Sequence, residues 1–118
     1  MHYNLADLRL LTLPEHADES GRLVVMQAED DIPFAVERIF VVTAGAGVTR
    51  GRHAHKRCSQ VLVCLHGACE VTCTDGDLKK TVRLEGARHG LVIPPSIWAE
   101  QIQRACKSGR RRSSGKCK

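Results

Sequence analysis

Rings are scarce in this chain: two Phe, one Trp and one Tyr among 118 residues. A protein so poor in aromatics has no platform on which to stack successive bases, which argues against a reader of single-stranded nucleic acid. No apolar run approaches the ~20 residues that span a bilayer. The opening "MHYNLADLRLL" lacks the charged-then-apolar pattern of a secretory signal, so a cytoplasmic protein without a membrane partner is expected. Six cysteines are present, but their spacings of six, five, four, thirty-three and eleven residues contain no Cys-x-x-Cys pair of the zinc-chelating kind. Buried, reduced thiols acting as small hydrophobes are the expectation.

Acid is missing from one region. From Arg104 to Lys118 the chain carries seven Lys or Arg and no Asp or Glu. Setting those seven aside takes the net charge of +5 to −2 for residues 1–103. The basicity is therefore a property of the tail, and a solvated tail accounts for it without a nucleic-acid partner.

What is abundant is Val, Leu and Ile in short, punctuated runs. "LRLLTL" (8–13), "RLVVMQ" (22–27), "RIFVV" (38–42), "QVLVCL" (60–65), "CEVTCT" (69–74), "TVRL" (81–84) and "GLVI" (90–93) read as strands. Between them lie "PEHADESG", "EDDIP", "AGAG", "HG", "TDGD", "EGARHG" and "PP". Many short strands without a helical period predict an all-β sandwich or barrel of a single domain. Two hairpins are expected, one turning at His66-Gly67 and one at Asp75-Gly76-Asp77, where Asp-Gly suits a tight turn. Along the strand between them Cys69, Val71 and Cys73 face one side and Glu70, Thr72 and Thr74 the other.

The chemistry concentrates in "RGRHAHKRCSQVLVCLHG" (50–67). In an extended segment His53 and His55 share a face, because side chains alternate with period two. Arg50, Arg52, Lys56 and Arg57 crowd them and favour neutral imidazoles. Three uses are open. A metal site would need a downstream carboxylate and a third imidazole, but Gln60 and Ala99 stand where these would be useful, leaving Glu100 and His89 as substitutes. Acid/base work on a carbon acid next to a carbonyl needs only the two rings and a polar pocket. The third use is none, two histidines on a solvated loop edge.

The string "RGRHAHKRCSQVLVCLHGACEVTCTDG", followed by "GLVIPPSIWAE", resembles the WxcM-like family of cupins, whose best-known members are dTDP-sugar 3,4-ketoisomerases. The shared pattern covers roughly residues 38–100, and the opening segment is also similar to the family's start. The resemblance implies a cupin jelly roll, usually a homodimer, that converts a dTDP-linked 4-keto-6-deoxy sugar to its 3-keto isomer without a metal or other cofactor. It assigns His53 as the base, His55 as its partner, and Arg50, Gln60 and Trp98 to the substrate pocket. A non-catalytic cupin that binds a nucleotide sugar or small metabolite is the alternative.

Three positions depart from the pattern. Phe40 or Val41 stands where members commonly carry a tyrosine, and the Trp-His-Glu of the family is Trp98-Ala99-Glu100 here. After Glu100 the expected apolar strands give way to "QIQRACKSGRRRSSGKCK", so residues 104–118 read as an irregular basic tail, a truncated or frameshifted end of a domain spanning 1–103.

Overall fold

The computed structural model describes residues 3–104 and the backbone of residues 114–117. One 3-10 turn, Leu5–Asp7, opens it, closed by a capping box in which the Asn4 side chain accepts from the Ala6 N–H and Asp7 accepts from the Asn4 N–H. Everything else regular is β: β1 (Arg9–Thr12), β2 (Glu15–Asp18), β3 (Gly21–Val24), β4 (Phe40–Thr43), β5 (Thr49–His53), β6 (Gln60–Cys64), β7 (Ala68–Thr74), β8 (Lys79–Glu85), β9 (His89–Ile93), β10 (Trp98–Arg104) and β11 (Ser114–Cys117).

Two antiparallel sheets carry the fold, ordered β1-β9-β6-β11-β4 and β5-β10-β7-β8, with β2 and β3 forming a separate pair. Between the two large sheets lie Leu62 and Cys64 from β6, Leu91 and Ile93 from β9, Cys69, Val71 and Cys73 from β7, and Leu84 from β8. The other side of β6 and β9 is covered too: Val61, Val63 and Val92 pack against Leu13 and Ile32, with Val24, Met26 and Phe34 around them. Burial on both faces explains why "QVLVC" is a continuous apolar run, whereas β7, wet on one face, alternates. The expected split of Cys69, Val71 and Cys73 from Glu70, Thr72 and Thr74 is what the strand shows.

The second hairpin is as expected. β7 and β8 pair over seven residues, from Ala68↔Glu85 to Thr74↔Lys79, around Gly76 at φ +104°. The Asp75 carboxylate accepts from the Leu78 and Asp77 N–H groups at 3.0 Å each, which holds its pKa below the ordinary value. The first hairpin is corrected. β6 pairs with β9 and β11, and β7 with β10 and β8, so the His66-Gly67 turn carries the chain from one sheet to the other. A glycine turn between two apolar strands looks the same in either role, because strand partners are chosen by the whole sandwich and not by the turn alone.

Four strands stand outside the seven runs. β2 lies within the segment taken as punctuation, β5 and β10 are too polar to register, and β11 comes from the basic tail. The backbone of β11 sits between β6 and β4, pairing Gly115 with Cys64 and with Val42. The rest of the tail, residues 105–113 and 118, lies outside the described residues.

Candidate active site

One end of the sandwich is hollow. A cavity of about 170 Å³ opens between the sheets, with Arg50, Gly51 and His53 of β5 on one side, Gln60 of β6 and Phe40 of β4 on the other, and Gln101 of β10 below. A smaller space of about 10 Å³ continues inward past Arg50 and Gln101 to the buried Gln103. Polar side chains reach this far inside because Ala99, Gln101 and Gln103 alternate toward the interior of β10 while Trp98, Glu100 and Ile102 alternate outward.

The ladder between β5 and β10 is irregular where the histidines begin. Ile102↔Thr49, Gln101↔Arg50 and Glu100↔Gly51 pair in step, and then the register shifts so that Ala99 faces His53. Gly51 (φ +93°) and Arg52 (φ +56°) are both left-handed there. Arg52 is one of three described non-glycine residues with positive φ, and Ser96 (φ +71°) is another. Ser96 donates its backbone N–H to the His55 carbonyl at 2.6 Å, tying down the segment after β5. Two strained residues thus flank one pair of side chains, a pattern that marks functional sites.

The two imidazoles converge. His53 Nε2 lies 3.1 Å from His55 Nε2, with ring centroids 4.9 Å apart and planes at 73°. The two rings meet on one side although β5 ends at His53, and the left-handed residues Gly51 and Arg52 come before the pair and not between its members. His53 Nδ1 donates to the Gly51 carbonyl at 2.7 Å. The pKa of His55 is lowered, first by burial, then by the neighbouring His53 and by Arg38. The direction is the expected one, but the main cause is desolvation and not the cluster of cations in the loop.

Of the five residues singled out by sequence, His53, Arg50 and Gln60 line the cavity and His55 touches His53 from outside it. Trp98 does not join them. It stands on the outer face of β10, 41% exposed, because the residue that alternates into the cavity is Ala99. Arg52 also turns away, its guanidinium 3.6 Å from Glu100. At the departure on β4 it is Phe40 that lines the cavity, under the Arg38 guanidinium at 5.1 Å, whereas Val41 is exposed. Among the other wall residues, Phe40 was noted in the sequence only as a departure from the family tyrosine, and Gly51 and Gln101 were given no role there. The Gly in "RGRH" was the available signal for a close backbone approach; a glutamine in "QIQR" carries none.

Among the described residues no three His, Cys, Asp or Glu side chains gather as a metal-binding group. Cys73, buried in the core, has its thiol pushed up to about 11 by desolvation, which keeps it a packing group rather than a nucleophile.

Residues 6–108 match the family model described as FdtA: WxcM-like, C-terminal. Over 93 residues, 78% of this chain and 67% of the relative, the sequence is 34% identical to the TDP-4-oxo-6-deoxy-alpha-D-glucose-3,4-oxoisomerase of Aneurinibacillus thermoaerophilus. The fold superimposes with a TM-score of 0.84 on QdtA, a sugar 3,4-ketoisomerase of Thermoanaerobacterium thermosaccharolyticum solved with TDP, at 30% identity over 96% of this chain and 80% of that one. A form of QdtA with one histidine replaced by asparagine, solved with TDP-4-keto-6-deoxyglucose, gives the same score at 29% identity over 99% and 80% of the two chains. With a jelly roll of the same shape and a match that runs through both histidines, the chain belongs to the WxcM-like family.

Proposed function

We propose that this protein is a sugar-nucleotide 3,4-ketoisomerase, acting on a TDP-linked 4-keto-6-deoxy sugar in deoxysugar or polysaccharide biosynthesis. The observation that carries this reading is the 3.1 Å contact between two imidazoles, one of which lines a polar cavity. Relatives named as TDP-sugar isomerases support the substrate class.

His53 is the base. Its Nε2 takes the hydrogen from carbon 3, and the C–H electron pair moves into a carbon 3–carbon 4 double bond as the carbon 4 ketone becomes an enolate oxygen. At rest the single in-plane lone pair of His53 Nε2 accepts from the His55 N–H, so that N–H must pass to the carbon 4 oxygen of the bound sugar before the carbon 3 proton is taken. The His55 N–H is then in place on the oxygen where the negative charge develops, and stabilises the oxyanion as it forms. Transfer of the hydroxyl proton from the carbon 3 oxygen to the carbon 4 oxygen, and return of a proton to carbon 4, leaves a ketone at carbon 3. Atoms and electrons balance without a metal or a redox cofactor. His55, with its lowered pKa, enters the cycle neutral at pH 7. Arg50 offers a guanidinium fork to phosphate oxygens and Gln60 an amide to sugar hydroxyls. Trp98 is not assigned to this cavity.

Residues 1–103 are proposed as the catalytic domain, to whose larger sheet the basic segment 104–118 adds β11, with the working form a cytoplasmic homodimer. One observation favours a second reading, a cupin that binds the nucleotide sugar without turning it over: Phe40 presents no hydroxyl to the cavity. Incubation with TDP-4-keto-6-deoxyglucose in heavy water separates the two. Deuterium entering next to the ketone, and failing to do so with His53→Asn, is expected for the isomerase; TDP binding without exchange would establish the second reading instead.

A further inference from the structure

The protons of the histidine pair follow from one backbone atom. The Gly51 carbonyl oxygen can only accept, so at 2.7 Å from His53 Nδ1 it requires hydrogen on Nδ1. In a neutral ring the other nitrogen is then bare, and the His53 Nε2 lone pair faces His55 Nε2 at 3.1 Å. That bond in turn requires hydrogen on His55 Nε2. Both tautomers are set by the direction in which one carbonyl points.

The carbonyl points there because residue 51 is glycine. At φ +93° a side chain is strained, and a Cβ would meet the Ala99 carbonyl oxygen at 3.2 Å, the Glu100 Cα at 3.4 Å and the Gln101 Oε1 at 2.9 Å. The first two are backbone atoms of β10 at its register shift and have little room to yield. The contrast with Gly76 is sharp: φ there is +104°, yet nothing lies within 4 Å of its Cβ position. Gly76 serves only a turn, whereas Gly51 serves a turn and a close approach at once.

We propose that Gly51 is a positioning residue: its carbonyl, held by a left-handed turn that only glycine fits against β10, locks His53 in the Nδ1–H tautomer and makes Nε2 the proton-accepting atom. The tautomer stands on geometry alone; its use in catalysis rests on the isomerase reading above.

The test uses the full chain with 15N-labelled histidine. Two-bond proton–nitrogen correlations above pH 8 report which ring nitrogen carries hydrogen, and His53→Asn and His55→Asn assign the signals. His53 is expected with hydrogen on Nδ1 alone and His55 with hydrogen on Nε2 alone. A His53 ring protonated on Nε2, or averaging between the two forms, would overturn the proposal. Gly51→Ala is expected to average the His53 tautomer and to lower kcat for deuterium exchange at least about tenfold with KM changed less than about twofold, since a misplaced tautomer harms turnover and not binding. Retention of the wild-type tautomer and kcat in Gly51→Ala would overturn the role given to glycine. If that variant fails to fold, the wild-type spectrum still decides the tautomer. Wild-type protein with the expected tautomer but no exchange would sink the isomerase reading and leave the tautomer lock intact; exchange with the opposite tautomer would do the reverse.

Discussion

The β7–β8 hairpin and the corner where β5 meets β10 are both antiparallel pairings that include left-handed glycines, and they are built for different ends. In the hairpin seven residue pairs run in unbroken register, one face is dry, and the turn glycine touches nothing. At the corner the register slips, two successive residues are left-handed, and the glycine is pressed against the neighbouring backbone. The frame is stable where every local preference agrees, and the site sits where several are overridden.

Four experiments sharpen that contrast or break it. His53→Asn should reduce deuterium exchange by about 10² or more, the usual range for losing an acid/base group, while the thermal midpoint barely moves because the side chain is exposed. A large fall in stability instead would mean that the corner is frame after all. Leu84→Ala, in the hairpin's buried face, should cost about 2–5 kcal/mol in a urea titration and leave kcat of the folded fraction unchanged. Gly76→Ala should cost only about 1 kcal/mol, for φ strain in open space, with no effect on turnover. Should it disturb the histidines as much as Gly51→Ala, the distinction between the two glycines fails.

The smallest effect expected is on stability against pH. The folded pKa of His55 is depressed, chiefly by burial, so below pH 6.5 the unfolded chain binds a proton that the folded chain refuses. Its contribution is fully present above pH 6.5 and is lost as pH falls from there toward the lowered folded value. Comparing the pH dependence of unfolding in the wild type and His55→Asn checks this: the variant should lose less stability between pH 7 and pH 5.

Much of the frame was legible in the residues. β6, β7 and β9 announce themselves through burial, on two faces or on one, and the Asp75-Gly76 turn follows from backbone chemistry that acts over four residues. β5 ("TRGRH") and β10 ("WAEQIQR") escaped because their pairing partners, not their own hydrophobicity, make them strands. β2 ("EHAD") is mostly exposed and reads as a loop for the same reason. The His66-Gly67 turn was misread since local sequence reports that the chain reverses but not which sheet it reverses into. At the site, the motif drew attention to His53, His55, Arg50 and Gln60. Trp98 lies on the exposed face of its strand, whose inward phase is set by Ala99, Gln101 and Gln103. Gln101 and Phe40 became walls only through a tertiary meeting of β4 and β10 that no spacing along the chain encodes.

β4 brings Phe40 and Val42 to the cavity, yet among the described strands its sole sheet neighbour is β11. The partition beside the cavity is therefore fastened, among the described residues, by the four residues of a strand from the basic stretch of the chain. A protease that nicks the basic extension, or a polyanion that draws it away, would leave the imidazoles in place and unhinge the panel opposite them.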